Sequence, residues 1–238
     1  MEKVIQCSAV VPVLNEERRL ASCLQRLRRQ TGGWQIIVVD GGSQDNTMEV
    51  ARQAGADLIL QTEGGRGRQL RLGAEAAQSD YLIFVHADTW LPEDADFWVT
   101  QTLQNPKWSA GAFRVRHQGE DCGPISRLFL PILNFRSRYA SLPYGDQALF
   151  TRKEVYRQVG GMPEQELMED LEFGKRLRKI GPIRKIPAEV EVSARRFGHR
   201  PWRSFLCWNL FPTLYALGVS PERLARWYGS PETTERRR

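Results

Sequence analysis

The chain has 238 residues, 41% hydrophobic and 26% charged, which suits one α/β domain with an appended extension around a real core. No apolar run reaches the roughly 18 residues of a conventional spanning helix, and four dispersed cysteines (Cys7, Cys23, Cys122, Cys207) form no CxxC pair, against a zinc cluster or disulfide framework. The formal charge of +6 suits anionic partners such as phosphorylated substrates or an acidic membrane face, while the absence of an aromatic-interleaved basic stripe argues against nucleic acid.

MEKVIQCSAVVPVLNEE reads as a first strand running into a helix and lacks a signal-peptide cleavage site; with the cysteine usage, the expected location is the cytoplasm. Apolar β-branched runs predict strands at Cys7–Val13, Gln35–Asp40, Asp57–Gln61 and Tyr81–His86, with a fifth at 109–115. Between them, amphipathic spacing predicts helices over Glu17–Gln30, Asn46–Ala54, Arg68–Ala77 and Glu93–Gln104. Such alternation implies an α/β fold, a Rossmann-like and mostly parallel sheet flanked by helices. Ligands in such sheets bind outside the carboxyl ends of the strands, so the loops Pro12–Glu16, Asp40–Thr47, Thr62–Gly67 and His86–Pro92 carry the interest.

Beyond about residue 116 the alternation fades. Residues 124–139 are apolar and aromatic with interspersed arginine. YGDQALFTR at 144–152 reads as a turn and a strand, followed by a helix to Val159. Leu167–Lys179 is a helix with acids in its first turn, and a proline-punctuated basic segment then runs to Arg200. The expected organisation is a first half (1–116), a second half of the same domain (117–200), a C-terminal aromatic helical extension (201–229) and a disordered tail (230–238).

Two loops have chemistry legible in their residue types. Asp40 closes a buried strand ahead of Gly41 and Gly42, an arrangement that lets the backbone approach a ligand while the carboxylate accepts hydrogen bonds from a base. The same residues also make an ordinary turn in which Ser43 or Asp45 caps the next helix. In the first loop, a strand ending in Pro, then Asn and Glu, can wrap backbone and carboxylate around a base and ribose, or Glu16 and Glu17 serve as N-terminal helix acids.

Together PVLNEE, IIVVDGGSQDNT and an Asp-containing string after the fourth strand resemble family 2 glycosyltransferases over roughly residues 7–180, with VDGGSxDxT the most specific part. Within that family the chain looks closest to a small bacterial subgroup associated with arsenosugar biosynthesis. The resemblance implies a GT-A fold and inverting transfer of a sugar from a nucleotide-sugar donor, UDP- or GDP-linked, to a hydroxyl acceptor. It assigns Pro12, Asn15 and Glu16 to the nucleoside pocket, points Asp40 at the base and gives Ser43 and Asp45 to loop support. Gly-Gly-Arg-Gly-Arg at 64–68 would open the next helix beside phosphate, with Arg66 or Arg68 adding charge-assisted bonds. Leu70 breaks any G-x-G-x-x-G pattern, and no Walker sequence occurs.

The family usually carries Asp-x-Asp after strand four. Here the string is FVHADTW, so His86 replaces the first acid and Asp88 remains as the expected ligand for Mn2+ or Mg2+. His86 either joins the ion or hydrogen-bonds ribose. By the same match Asp170 is the catalytic base and Glu169 its neighbour and substitute. Asp146 falls in the acceptor loop, and Arg195 and Arg196 lie where relatives place basic residues toward the diphosphate. A sugar-1-phosphate nucleotidyltransferase would put a Gly-rich basic loop where this chain has PVLNEE. A catalytically silent nucleotide-binding scaffold is the other competitor, motivated by His86.

PWRSFLCWNLFPTLYALG at 201–218 sets Trp202, Phe205, Trp208, Phe211 and Tyr215 near helical spacing beside Arg200 and Arg203. It reads either as a core helix on the acceptor side or as a peripheral membrane contact at the inner face of a membrane.

Overall fold

The computed structural model describes residues 7–118, 127, 130–132, 134–135, 142–194 and 201–228, with only the backbone described over 201–205. Cys122, Arg195, Arg196, the side chains of Trp202 and Phe205, and the tail lie outside the described residues.

The order is β1 (Cys7–Val13), α1 (Leu20–Arg28), β2 (Gln35–Asp40), α2 (Thr47–Gln53), β3 (Leu58–Gln61), α3 (Gly65–Ala76), β4 (Tyr81–Phe84), β5 (Thr89–Trp90), α4 (Ala95–Leu103) and β6 (Ala110–Gln118). A 3-10 turn (Gly145–Gln147), β7 (Phe150–Arg152), α5 (Lys153–Gln158), α6 (Glu169–Ile180), β8 (Ile183–Ser193), α7 (Pro201–Ala216) and α8 (Pro221–Tyr228) follow. The eight-stranded sheet has the order β3-β2-β1-β4-β7-β6-β8-β5.

β1 and β2 are buried along their whole length, as CSAVVPV and QIIVVD require of central parallel strands covered on both faces. Successive side chains take opposite faces. Ala9, Val11, Ile36 and Val38 pack with Leu20, Leu24 and Leu27 of α1 and with Val99 and Leu103 of α4. Val10, Ile37 and Val39 pack on the other face with Leu70 of α3, Tyr156 of α5, and Phe173 and Leu177 of α6.

Helix α3 lies nearly flush on that second face because position 73 carries no side chain. A methyl group there would sit 2.4 Å from Val10 Cγ1 and 3.0 Å from Val39 Cγ2. Alanine gains about 1 kcal/mol over glycine within a helix, but overpacking costs about 1–3 kcal/mol. Gly73→Ala is therefore expected to destabilise the fold, read as a Tm several degrees lower in thermal unfolding.

The sheet is parallel through β3-β2-β1-β4 and mixed beyond it, which makes it mostly parallel, as expected. β7 runs antiparallel to both β4 and β6, β8 lies parallel to β6, and β5 pairs antiparallel with β8. Two strands escape the sequence reading. β8 occupies the segment taken as proline-punctuated and basic: Pro187 is exposed where the β6–β8 register slips, so the missing amide breaks no regular ladder. β5 is only two residues long. The fourth strand also ends at Phe84, earlier than expected, leaving His86 in the following loop.

Candidate active site

Parallel pairing of Val13 with Asp40 brings the ends of β1 and β2 side by side, and their loops lock together. The Asn15 amide donates to Ser43 Oγ (2.9 Å), and Asn15 Oδ1 accepts the Gln44 amide (2.8 Å). The Glu16 amide donates to Thr47 Oγ1 (2.8 Å), and the Glu17 amide to Asp45 Oδ2 (3.2 Å). Asn15 sits at φ 54, a left-handed conformation that asparagine tolerates better than most residues. Asp40 is fully buried and turns its oxygens onto its own loop, accepting the amides of Gly42 and Ser43 (each 3.1 Å) and the Ser43 hydroxyl (2.5 Å).

Gln69, invisible as a functional residue in the sequence, is buried on α3 and donates to the carbonyls of Val13 and Val39 (both 2.8 Å), tying together the strand ends from which both loops spring. Pro12, expected in the nucleoside pocket, is buried within β1 opposite Val39 and not in the loop. Arg68 points to solvent over Gly64.

A second group converges across a cleft of about 860 Å³ that is open to solvent. Arg66 from the first turn of α3, His86 and Asp88 from the loop after β4, Asp146 from the 3-10 turn and Asp170 from α6 all line it. The Gly145 amide donates to Asp170 Oδ2 (2.5 Å) and the Leu171 amide to Oδ1 (2.8 Å). A methyl group at position 145 would lie 2.9 Å from His86 Nε2 and 3.2 Å from Asp170 Oδ2, so imidazole and carboxylate close around one point from which glycine keeps the backbone clear. Asp88 is 5% exposed, and its carbonyl accepts the Ser193 amide (3.1 Å), which anchors the loop to the end of β8.

The two adjacent acids of α6 meet different fates. Asp170 faces the cleft, whereas Glu169 is 1% exposed and ion-paired with Arg66. Burial, and then the neighbouring Glu169 charge, push the Asp170 carboxyl up to about 6, against the opposing pull of Arg66 and the Gly145 and Leu171 amides. Met168, ahead of both acids, holds φ 64, and Ala148, just past the 3-10 turn, holds φ 45. With Asn15 these are the positive-φ non-glycine residues among those described; Met168 lines the cleft and Ala148 follows the turn that does, sites where backbone strain tends to be tolerated.

His117, another residue the sequence does not flag, is buried on β6 with Nε2 3.9 Å from Asp146 Oδ2 and Nδ1 2.7 Å from Asn134 Oδ1. The second wall of the cleft comes from α7 and α8. Trp208 and Phe211 of the expected aromatic stripe turn into it, and Tyr215 instead donates to Glu172 Oε2 (3.1 Å), pinning α7 on α6.

Among the described residues no three His, Cys, Asp or Glu side chains form a ready-made metal cage. A single buried carboxylate, Asp88, with an imidazole near it is the donor set expected when diphosphate oxygens and water complete the shell, so these residues fit a divalent cation brought in with a nucleotide.

Residues 8–157 match the sequence model of Glycosyl transferase family 2. The chain belongs to that family. The match ends before α6, so it does not itself reach Asp170. Among the relatives of this family 2 chain, a 4,4'-diaponeurosporenoate glycosyltransferase from Staphylococcus haemolyticus is 37% identical over 91 residues, covering 35% of the chain and 24% of that protein. A dolichyl-phosphate beta-glucosyltransferase from Drosophila melanogaster is 32% identical over 123 residues, covering 44% and 38%. The match thus spans well under half of either relative. Among solved structures, a mannosyltransferase from Pyrobaculum calidifontis in complex with GDP-Man and Mn2+ superposes with a TM-score of 0.68 at 19% identity, over 91% of this chain and 66% of that one. TarS from S. aureus in complex with UDP gives a TM-score of 0.63 at 20% identity, over 80% and 61%. The fold is the GT-A fold of these glycosyltransferases.

Proposed function

We propose that this family 2 chain transfers a sugar, with inversion, from a UDP- or GDP-linked donor to an acceptor hydroxyl, residues 1–116 holding the donor and 117–200 the acceptor and the base. The observation that carries this reading is Asp170: a carboxylate held by two amides, facing the open cleft that Asp88 and His86 also line, with its proton affinity raised. An acceptor hydroxyl hydrogen-bonded to Asp170 gives up its proton there as its oxygen bonds to the anomeric carbon and the bond from that carbon to the diphosphate breaks. No protein nucleophile is required.

Asp88, with His86, is the group on this chain that would hold Mn2+ or Mg2+. A divalent cation there supplies charge neutralisation for the departing diphosphate. Glu169 acts as a positioning residue that holds Arg66 beside Asp170; the buried ion pair keeps a positive charge near the leaving group without exposing a competing base. Asn15, Glu16 and the Asp40–Asp45 loop border the nucleoside, and Asp146 the acceptor.

Calorimetric titration with UDP and with GDP, each with and without Mn2+, tests the donor side. Tight binding of one nucleotide is expected; binding of neither, in any condition, would overturn the proposal in favour of a silent scaffold. Transfer should also rise with pH through about 6, because Asp170 must be ionised to accept a proton. The check is the kcat/KM profile between pH 4.5 and 8; a flat acid limb would assign the base elsewhere.

No described helix is long and apolar enough to cross a membrane. The outer faces of α7 and α8 and the turn between them nevertheless expose Leu206 (57%), Leu210 (46%), Leu217 (77%) and Trp227 (51%). We extend the proposal to a peripheral contact of 201–218 with an anionic membrane, made by this aliphatic face and not by the inward-turned aromatics. Co-flotation with anionic liposomes at low salt, lost in Leu210→Ser/Leu217→Ser, is the expected result; no co-flotation of the unaltered chain would rule it out. The narrower placement beside the arsenosugar-associated subgroup rests on sequence resemblance.

A further inference from the structure

The cleft has two chemically unlike walls. On one stand the polar groups: Arg66, His86, Asp88, Asp146 and Asp170. The other is built from Leu167, Met168, Trp208, Phe211, Pro212 and Tyr228. This second wall is no accident of a loosely placed helix. Phe211 is 6% exposed and clusters with Cys207 and Leu224, and Leu167, Met168, Trp208 and Tyr228 pack against that cluster. Phe211 and Tyr228 meet edge to face with ring centroids 6.2 Å apart, joining α7 to α8. Beneath them Tyr215 is fixed on α6 by its bond to Glu172 and by Lys175 Nζ, 4.3 Å from its ring centre. The wall is thus part of the folded body, and α6 carries both its footing and Asp170.

We propose that the acceptor is an alcohol whose hydroxyl is carried on an apolar body, aliphatic or aromatic, which lies on the α7–α8 wall while the hydroxyl reaches Asp170. The inference rests on the glycosyltransferase reading above and names its substrate class. A sugar acceptor carries a hydroxyl on nearly every carbon. One face of a sugar ring can stack its C–H groups on an aromatic ring, but hydroxyls turned toward leucine, methionine and proline would lose water without gaining a partner. An apolar body loses nothing there, and its transfer out of water favours binding in proportion to its buried surface. The polar wall then serves the donor, the cation and the one reacting hydroxyl. Met168 adds a deformable contact that tolerates bodies of differing shape.

The test uses 1-hexanol, 1-heptanol and 1-octanol as probes of chain length, with methyl β-ribofuranoside as the polar probe. Binding to the full chain is measured by saturation-transfer NMR in the presence of whichever nucleotide binds by calorimetry. The expected result is a Kd that falls about fourfold with each added methylene, strongest saturation along the alkyl chain, and weaker ribofuranoside binding. Trp208→Ala should weaken octanol binding about tenfold or more. Phe211→Leu, which preserves most of the buried volume, should weaken it less and guards against loss of folding in the first variant. Kd values independent of chain length, tighter ribofuranoside binding, or octanol binding lost in Leu217→Ser but kept in Trp208→Ala would each overturn the assignment with the donor side intact. Failure of both nucleotides to bind would overturn the donor reading and this assignment together, and is distinguished because the other failures leave nucleotide binding in place.

Discussion

Asp170→Asn is expected to lower transfer by roughly 10²–10⁴-fold, the span ascribed to a positioned general base, while nucleotide affinity stays within about twofold of the parent chain by calorimetry. The amide keeps the shape of the side chain and can still accept a backbone amide, but it cannot take up the acceptor's proton. A second readout separates this role from a structural one. The folded pKa of Asp170 lies above the ordinary carboxylate value of 3.8. The folded state therefore holds its proton more strongly than the unfolded chain, and the resulting stability is present below the unfolded pKa and is lost as pH rises through about 6. The asparagine variant lacks this term, so its Tm should fall less than that of the parent chain between pH 4 and 7. Equal Tm profiles would show that the carboxylate is not desolvated as described. Retained transfer would move the base to another group, with Glu169 the first to examine.

Asp88→Ala should remove the dependence of nucleotide binding on Mn2+, leaving the weaker affinity seen without metal; a loss of about tenfold or more is expected, since even groups supporting metal ligands are commonly worth 10–100-fold. The fold should survive, because the Asp88 carbonyl, which accepts the Ser193 amide and ties this loop to β8, is kept in alanine. His86→Ala is expected to have the smaller effect on the metal response and to disturb the approach to Asp170, whose carboxylate closes on the same point. A metal response unchanged in Asp88→Ala would place the ligands elsewhere in the cleft.

Asp88 and Asp170 both stand at positions that the resemblance to family 2 glycosyltransferases singles out in the sequence. Strands β1 and β2 were legible to the residue because an unbroken β-branched run can be stable only where both faces are covered. The loops after them followed, since carboxyl ends of parallel strands collect at one edge. β8 was not legible. Its charges at Arg184, Lys185, Glu189 and Glu191 and the proline at 187 argue locally for a loop, and only pairing with the long β6 makes them a strand. The aromatic spacing of α7 announced a helix but not which way Trp208 and Phe211 would turn, because a stripe on one helix is silent about what stands opposite.

The sequence by itself determined the α/β class, the central parallel strands and the loops at their carboxyl ends, and its resemblance to the family singled out the short list of acids. Those features depend on local patterning: strand periodicity, turn residues and carboxylates at strand or helix ends. Only the tertiary structure decided which of two adjacent acids faces the cleft. Consecutive residues on a helix diverge by about 100°, and Arg66, 103 residues away in sequence, captures Glu169 and leaves Asp170 to the open side. The same holds for Gln69, His117 and the apolar wall. Each draws its role from a partner that chain order conceals, and burial gives that partnership its strength.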